Sequence, residues 1–466
     1  MPPQRALVTG LHWETRMPIS HPCSVCVPQR LRRVCQAALL SAAGLCAGLP
    51  AQAAEVFSIN VTAGSSTNLS SGSASYTTAQ QAFDGLRDAS LQALAPTYNS
   101  TTPASMLIDY RGLALNTAFP NSGPRLNLNI PKLGIAQQFN GSTREASRQL
   151  LRDYFKSGDA LNRIMQTLAE SSPVDPIAGN PASLQTRMVD GSYQRHFKLL
   201  ASTLAGRALG MSTGAQAGPP LWLAAAGTDA PVLGDRARDL DSRSGAMAQL
   251  DLARYSRAGL DSTVASVSAS YAFATGPDRP LSLDGELNSA STEGAKSYGG
   301  NLGLAYRLRL QDSWYLVPSL SVGLSASPDL GAAGSMVSAA LTSAYRLAEQ
   351  ADYALWMGNA VHLTKTVNTS LSGYSFNAGL HNVVFTNGLV LSLTPASLWQ
   401  GYWLELSLAD TRYTGSTVYD RRYDELGIAL VQARRGGGGP ATLRGELNLL
   451  NTTHSKGWGV KVQATF

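Results

Sequence analysis

Charge is scarce in this chain. Only 15% of its 466 residues are Asp, Glu, Lys or Arg, against about 25% in an average soluble domain. With 44% hydrophobic residues and 44 glycines, that excludes both a disordered polyelectrolyte and a coiled coil. Long apolar runs are missing as well. No stretch reaches the roughly 18 residues that a spanning helix needs, so a polytopic helical membrane protein is excluded. Cysteine is confined to Cys23, Cys26, Cys35 and Cys46. What remains is a large soluble α+β protein, or a β-barrel whose apolar residues are diluted by alternation.

The front of the chain reads as an export signal. Arg30, Arg32 and Arg33 form a basic n-region, Val34 to Leu49 a short apolar run, and Ala51-Gln52-Ala53 an A-x-A cleavage site. The lead before it is long, and Met17 is a second candidate start. Cys23-Ser-Val-Cys26 matches C-x-x-C, but no second pair follows and the motif precedes the cleavage site. Cys46 lacks the small preceding residue of a lipobox, since Leu45 stands there. Cleavage after Ala53 leaves 54–466 without cysteine, stable by burial or by the membrane rather than by disulfides. The presequence removes five Arg and one Glu, so the net charge falls from +6 to +2. Nucleic-acid binding has no electrostatic support.

Residues 54–209 mix short strands and helices. Phe57 to Val61 alternates like a strand, and a Ser/Thr/Gly/Asn-rich run from Thr62 to Thr78 reads as a loop. Thr78 is placed to cap a helix running to about Leu94. Met106 to Leu115 and Leu126 to Ile130 read as strands. Arg144 to Glu170 is helical, interrupted near Gly158, with an apolar stripe from Leu150 to Leu168. A Pro-rich break spans Ser171 to Pro181, and a last helix is expected from about Ser192 to Leu209. Residues 210–245 form a linker that opens with Gly/Pro/Ala-rich sequence at Gly210 to Pro220.

From 246 to 466 the texture changes to segments of about ten residues that alternate apolar and polar, the length and pattern of transmembrane β-strands. Leu302, Leu304, Tyr306, Leu308 and Leu310 share one face. Leu404, Leu406 and Leu408 oppose Trp403, Glu405 and Ser407. Asn387-Gly388 has the composition of a two-residue hairpin. A soluble sandwich would also alternate. The export signal, the aromatics at strand ends (Tyr271, Phe273, Trp314, Tyr315, Tyr353, Tyr402, Trp403) and the terminal strand weigh against it.

That strand is the most specific signal. Trp458, Val460, Val462, Ala464 and Phe466 fall on one face, and Gly457, Gly459, Lys461, Gln463 and Thr465 on the other. It resembles the terminal targeting strand of Gram-negative outer-membrane β-barrel proteins, which ends on an aromatic residue. The resemblance implies outer-membrane lipid as surroundings, with periplasmic chaperones and the barrel-insertion machinery as partners. The fold expected is thus an α+β amino-terminal domain followed by an antiparallel transmembrane barrel. Lipid offers no hydrogen bonds to a bare backbone, so the sheet must close. About thirteen candidate strands are visible, and a barrel with both ends periplasmic needs an even number. Twelve is the reading taken, with ten and fourteen also even; the surplus strand is placed around Leu389 to Trp399. The inward face then carries Asp284, Glu286, Arg307, Arg309, Glu405, Arg444 and Glu446, which either line a water path or pair and close it. Arg434 to Pro440 reads as a loop.

Chemistry-bearing motifs are weak. Gly210-Met211-Ser212-Thr213-Gly214 matches G-x-S-x-G, but a helix precedes it and a linker follows, opposite to a nucleophile elbow. His196, His362, His381 and His454 have no metal-ligand spacing. His362 shares the inward parity of Trp356, and Thr453-His454-Ser455 reads as a turn. No cofactor and no enzymatic activity are expected.

Two functions fit. In an autotransporter-like layout the barrel anchors and displays or exports the domain before it. Against the pattern, this domain is short and without repeats, and Pro220 to Ser244 is a poor pore-threading helix. In the second reading the barrel is a channel or porin, and 54–209 a periplasmic or plug-like domain. Both require the terminal strand. Deleting Phe466 is expected to lower the outer-membrane yield of heat-modifiable barrel, and an unchanged yield would count against the assignment.

Overall fold

The computed structural model describes residues 56–156, 159–209, 245–274, 280–371, 374–395, 401–433 and 442–466. The signal segment with its cysteines, the G-x-S-x-G match, Pro220 to Ser244 and the Arg434 to Pro440 loop lie outside these residues.

The first layer is an antiparallel sheet. Its strands are β1 (Phe57–Ser65), β2 (Asn68–Tyr76), β3 (Ala104–Tyr110), β4 (Leu113–Phe119), β5 (Leu126–Ile130) and β6 (Ile135–Phe139), in the order β2-β1-β3-β4-β5-β6. Period-two alternation sends Val61, Met106, Leu113, Phe119, Leu126, Leu128 and Ile130 to one face. There they meet Leu91, Ile164 and Leu168 of the covering helices. Those helices are Ala79–Gly85, Asp88–Leu94, Arg144–Lys156 and Asp159–Ser171. Thr78 caps the first through a reciprocal capping box with Gln81.

Two expectations are corrected here. The Ser/Gly-rich run 62–78 is not a loop but contains β2, an edge strand paired to β1 along its whole length. Backbone pairing suffices at an edge, where small side chains have nothing to pack on one side. Met106 to Leu115 is not one strand but two. Arg111 and Gly112 both have positive φ (56° and 89°) and turn the chain between β3 and β4.

The second layer is a closed antiparallel barrel. Its strands are β7 (Gly245–Arg257), β8 (Leu260–Ala274), β9 (Pro280–Thr292), β10 (Ala295–Tyr306), β11 (Leu308–Gln311), β12 (Trp314–Ser327), β13 (Ala332–Glu349), β14 (Tyr353–Val367), β17 (His381–Leu393), β18 (Tyr402–Gly415), β19 (Arg422–Ala433), β20 (Thr442–Thr452) and β21 (Ser455–Thr465). A small hairpin, β15 (Thr369–Leu371) with β16 (Tyr374–Phe376), interrupts the β14–β17 connection. β10 and β11 both pair with β12 and form one stave broken at Arg307, so the barrel has twelve staves. β7 pairs with β21, and β10 with β12, which closes the ring.

The burial pattern is inverted relative to a soluble protein. Leu287, Leu302, Leu320, Leu408, Leu447 and Val462 of the strands point out and stay exposed. Asp251, Asp284, Glu286, Glu405, Arg444 and Glu446 point in and are buried. An apolar belt outside and a polar wall inside is the pattern lipid imposes.

Asn387-Gly388 is not a turn. Both residues lie in the middle of β17, which runs unbroken from His381 to Leu393, and the surplus strand near Leu389 is its continuation. The glycine answers a different need. A Cβ on Gly388 would stand 2.6 Å from the Tyr193 hydroxyl and 2.4 Å from the Leu408 carbonyl oxygen. Ala258-Gly259 and Glu293-Gly294, with positive φ at both residues, are turns of the kind expected there.

Other inward glycines serve the same contact. A Cβ on Gly358 would lie 2.3 Å from the Phe197 ring, and one on Gly334 2.7 Å from Ile177. Gly358→Val is therefore expected to push Phe197 off the wall and cost about 1–3 kcal/mol or more. Gly445, with nothing near its Cβ position, accepts alanine. The check is the temperature at which folded barrel converts to the slow-migrating unfolded form in each variant.

Candidate functional site

The lumen is filled by a helix. Residues Leu184–Tyr193 are α-helical, Gln194–Lys198 form a π turn, and Leu199–Ala208 continue as α-helix. At 1.5 Å per residue the rod is about 37 Å long, enough to cross a hydrocarbon layer of about 30 Å. The helix expected from Ser192 therefore begins eight residues earlier and packs inside the barrel rather than with the sheet domain. The extra residue in a π turn rotates the helix beyond it relative to the helix before it, which turns Lys198 away from the wall that Arg187 meets.

One side of the helix is apolar. Tyr193, Phe197, Leu200, Ala201, Leu204 and Ala205 pack on Tyr315, Val317, Ala344, Ala354, Trp356, Ala360 and Val390. Small residues on that wall let the helix backbone come close. The Tyr193 hydroxyl donates to the Gly358 carbonyl at 3.2 Å.

The other side is ionic. The Arg187 guanidinium donates to Glu286 Oε1 at 2.9 Å, Asp251 Oδ2 at 2.9 Å and Ser266 Oγ at 2.5 Å. It thus ties β7, β8 and β9 to one side chain. Arg195 lies 3.7 Å from Glu286, and His196 Nε2 lies 3.4 Å from Asp284. Lys198 Nζ donates to Glu425 at 2.5 Å and stands 3.7 Å from Glu446. Glu446 and Glu405 also accept from Arg444, at 2.6 and 2.9 Å. Trp403 Nε1 donates to Glu405 at 2.8 Å. At the far end, Trp403 sits against Gly206 and packs with Leu209, Val431 and Ala433.

Of the inward residues expected from sequence, Asp284, Glu286, Glu405, Arg444 and Glu446 lie in this network. Arg307 marks the break between β10 and β11, where its N–H donates to the Pro280 carbonyl at 3.1 Å. Arg309 pairs with Asp312 at 2.5 Å in the turn beyond β11. In the terminal strand, Trp458, Val460, Val462 and Phe466 are exposed on the outer face, and Ala464 shares that parity. His362 is fully buried and faces inward with Trp356. His454 sits in the β20–β21 turn, where its N–H donates to Asp420 at 2.8 Å. Sequence reading missed Arg187, Arg195, Lys198, Asp251 and Glu425. Basic residues spaced along a predicted helix were the available signal.

The cavity left between the helix and β17 to β21 holds about 50 Å³ and is lined by residues that include Asp190, Tyr193, Tyr413, Glu425 and Lys461. That is room for a few waters.

The mouths are distinct. One carries Gly245 and Phe466 together, with the Ala246 N–H 3.4 Å from the Phe466 carbonyl oxygen. The other carries the sheet domain. There the Ala79 N–H donates to the Asp329 carbonyl at 2.7 Å, Tyr419 N–H to Ala169 at 3.0 Å, and Tyr110 Oη to Leu330 at 3.2 Å. Val56, Phe57, Ala82 and Val174 pack with Leu260, Ala295 and Leu330 of the strand ends. Arg111 pairs with Asp175 at 3.5 Å where the chain enters the lumen. Burial raises the Asp175 carboxyl above its usual range, and Arg111 with the Ile177 and Ala178 N–H groups pulls it back. The helix runs from this mouth to the one that carries the two barrel ends.

The chain folds as a closed antiparallel β-barrel of twelve staves, with a helix through its lumen and a sheet domain at one mouth. No family model and no curated protein sequence matches it. Solved structures similar to the barrel include the translocator domain of the autotransporter NalP from Neisseria meningitidis, at 14% identity and a TM-score of 0.39, covering 50% of this chain and 93% of that one. The β domain of the Bordetella autotransporter BrkA aligns at 17% identity and a TM-score of 0.37, over 48% and 98%. An outer membrane channel from Pseudomonas putida F1 aligns at 13% identity and 0.31, over 48% and 95%.

Arg187 binds three adjacent strands of the barrel wall at once. Arg187→Met leaves Asp251 buried without its ion-pair partner and Glu286 with Arg195 at 3.7 Å, at a cost of about 3–5 kcal/mol. The expected outcome is a large drop in unfolding temperature with partial recovery in Arg187→Lys. Equal stability of wild type and Arg187→Met in detergent would show that the helix is not held by this contact.

Proposed function

We propose that the barrel anchors the sheet domain at the cell surface, and that residues 174–209 are the segment of the exported chain that stays in the pore. One observation carries this reading. The sheet domain sits at the mouth opposite the barrel's own ends, and the chain between them runs through the lumen.

An even number of strands puts both barrel ends on one side, and with that side periplasmic, as in bacterial outer-membrane barrels, the opposite mouth faces outward. A domain held in the periplasm would lie beside Gly245 and Phe466 instead. The expected cleaved signal peptide supplies passage across the inner membrane, and the barrel-insertion machinery engages the Phe466 strand. No step in this scheme needs an enzyme or a cofactor on this chain.

The channel reading needs an open path. The packing of Phe197, Leu204 and Trp356 on one side and the Arg187 and Lys198 ion pairs on the other support a closed lumen.

Protease shaving tests the orientation. An epitope placed in the Ser66–Thr67 turn between β1 and β2 is expected to be lost from intact cells while the barrel stays protected. Protection of the tag until the outer membrane is permeabilised would place the domain inside and overturn the proposal. In planar bilayers the intact chain is expected to be silent, and a barrel lacking 56–209 to conduct, provided it keeps heat-modifiable migration.

A further inference from the structure

The lipid-facing belt is interrupted along one diagonal. Asn359, Asn387, Asp410, Asp424 and Asn451 are successive cross-strand partners on β14, β17, β18, β19 and β20. On β18 and β19 the row lies towards the mouth with the sheet domain. There Asp410 and Asp424 pair with Arg412 and Arg422 at 3.0–3.6 Å. On β14 and β17 the row reaches the middle of the belt. Val361 and Leu363 on one side of Asn359 are exposed and apolar, as are Phe385 and Leu389 on either side of Asn387.

The two amides bond each other, with Asn359 Nδ2 donating to Asn387 Oδ1 at 2.7 Å. That uses the amino group of one and the carbonyl of the other. A carboxamide carries both, so Asn359 Oδ1 and Asn387 Nδ2 still face the belt. Lipid tails offer neither donor nor acceptor, and a polar group there is costly unless it is met. Beside the pair runs a groove of about 640 Å³ walled by Met357, Leu389, Leu408, Leu426 and Leu449.

We propose that a second copy of this chain covers this patch, giving a two-fold dimer in the membrane centred on Asn359 and Asn387. A carboxamide is its own complement. Two copies share one orientation in the bilayer, so their two-fold lies along the membrane normal and each residue meets its counterpart at equal depth. A copy therefore presents a mid-belt amide pair where this one has its unmet groups. It also presents the Leu389 and Leu408 ridge that fits the facing groove. Polar side chains at such sites hold membrane proteins together. The inference is independent of where the sheet domain lies.

The cysteines are confined to Cys23, Cys26, Cys35 and Cys46, so the test uses the full chain with these four replaced by serine. With Asn387→Cys added to that chain, oxidation in outer membranes is expected to give a disulfide-linked homodimer. Val267→Cys, exposed on the opposite wall, is expected to give none. The Asn359→Leu/Asn387→Leu double variant should retain heat-modifiable migration and associate about tenfold more weakly, read as dimer fraction by light scattering in detergent. A monomeric wild type, equal cross-linking at position 267, a cross-link to a different protein, or undiminished dimer in the leucine variant would each overturn the proposal. A variant that loses heat-modifiable migration is replaced by Asn387→Ser, for which the same weakening is expected and its absence is equally decisive.

Discussion

A carboxylate inside a barrel wall must find a cation or stay unburied. Here the cations come largely from elsewhere in the chain. Arg187, Arg195 and Lys198 reach Asp251, Asp284, Glu286, Glu425 and Glu446 on strands at least 64 residues later. Wall and helix are consequently one structure. Arg187 gathers three adjacent strands, Lys198 draws on β19 and β20, and Arg444 extends the same network to Glu405 on β18. Strand closure satisfies the backbone, but charge pairing across the lumen decides that the space is filled.

The two sides of the lumen solve different problems. On the wall from β12 to β17, glycine and alanine remove side chain so that Tyr193, Phe197 and Leu204 can seat. On the opposite wall, long acidic and basic side chains span the remaining width. The helix is packed on one wall and bridged by ion pairs to the other. The π turn at Gln194–Lys198 fits this arrangement, since it sits where the apolar ridge and the cationic face must both be served.

Much of this was legible in sequence. Period-two alternation marked the barrel because lipid outside and a polar lumen inside impose opposite preferences on neighbouring residues. Glu286, Glu405, Arg444 and Glu446 could be placed inward because they have the opposite parity to Leu287, Leu404, Leu443 and Leu447. The strand count was blurred by Asn387-Gly388, whose glycine answers the approach of Tyr193, a residue from a distant part of the chain. β2 hid in a Ser/Gly-rich run because an edge strand in the sheet domain needs no large side chains. The pore helix was seen only in part and grouped with the preceding domain. A helix carrying arginine, lysine and glutamine beside leucine and phenylalanine has the composition of a surface element. Only its distant partners reveal that both of its faces are buried.

Those partners also make the helix dependent on the barrel. A polar, partly cationic helix of this length gains little from propensity alone and is marginal in water. The empty lumen would in turn hold Asp251 and Glu286 without the helix arginines that pair with them, and Glu425 without Lys198. Each is stabilised by the other, so docking of the helix and completion of the barrel are coupled. On the export reading this gives translocation a defined end. On that reading the chain would move through the lumen while its side chains find no match, and would stop when Arg187 and Lys198 reach their carboxylates, Phe197 reaches Gly358, and Gly206 reaches Trp403. With the helix in its observed position Arg111 meets Asp175 at the mouth that carries the sheet domain, and that domain is held where the helix begins.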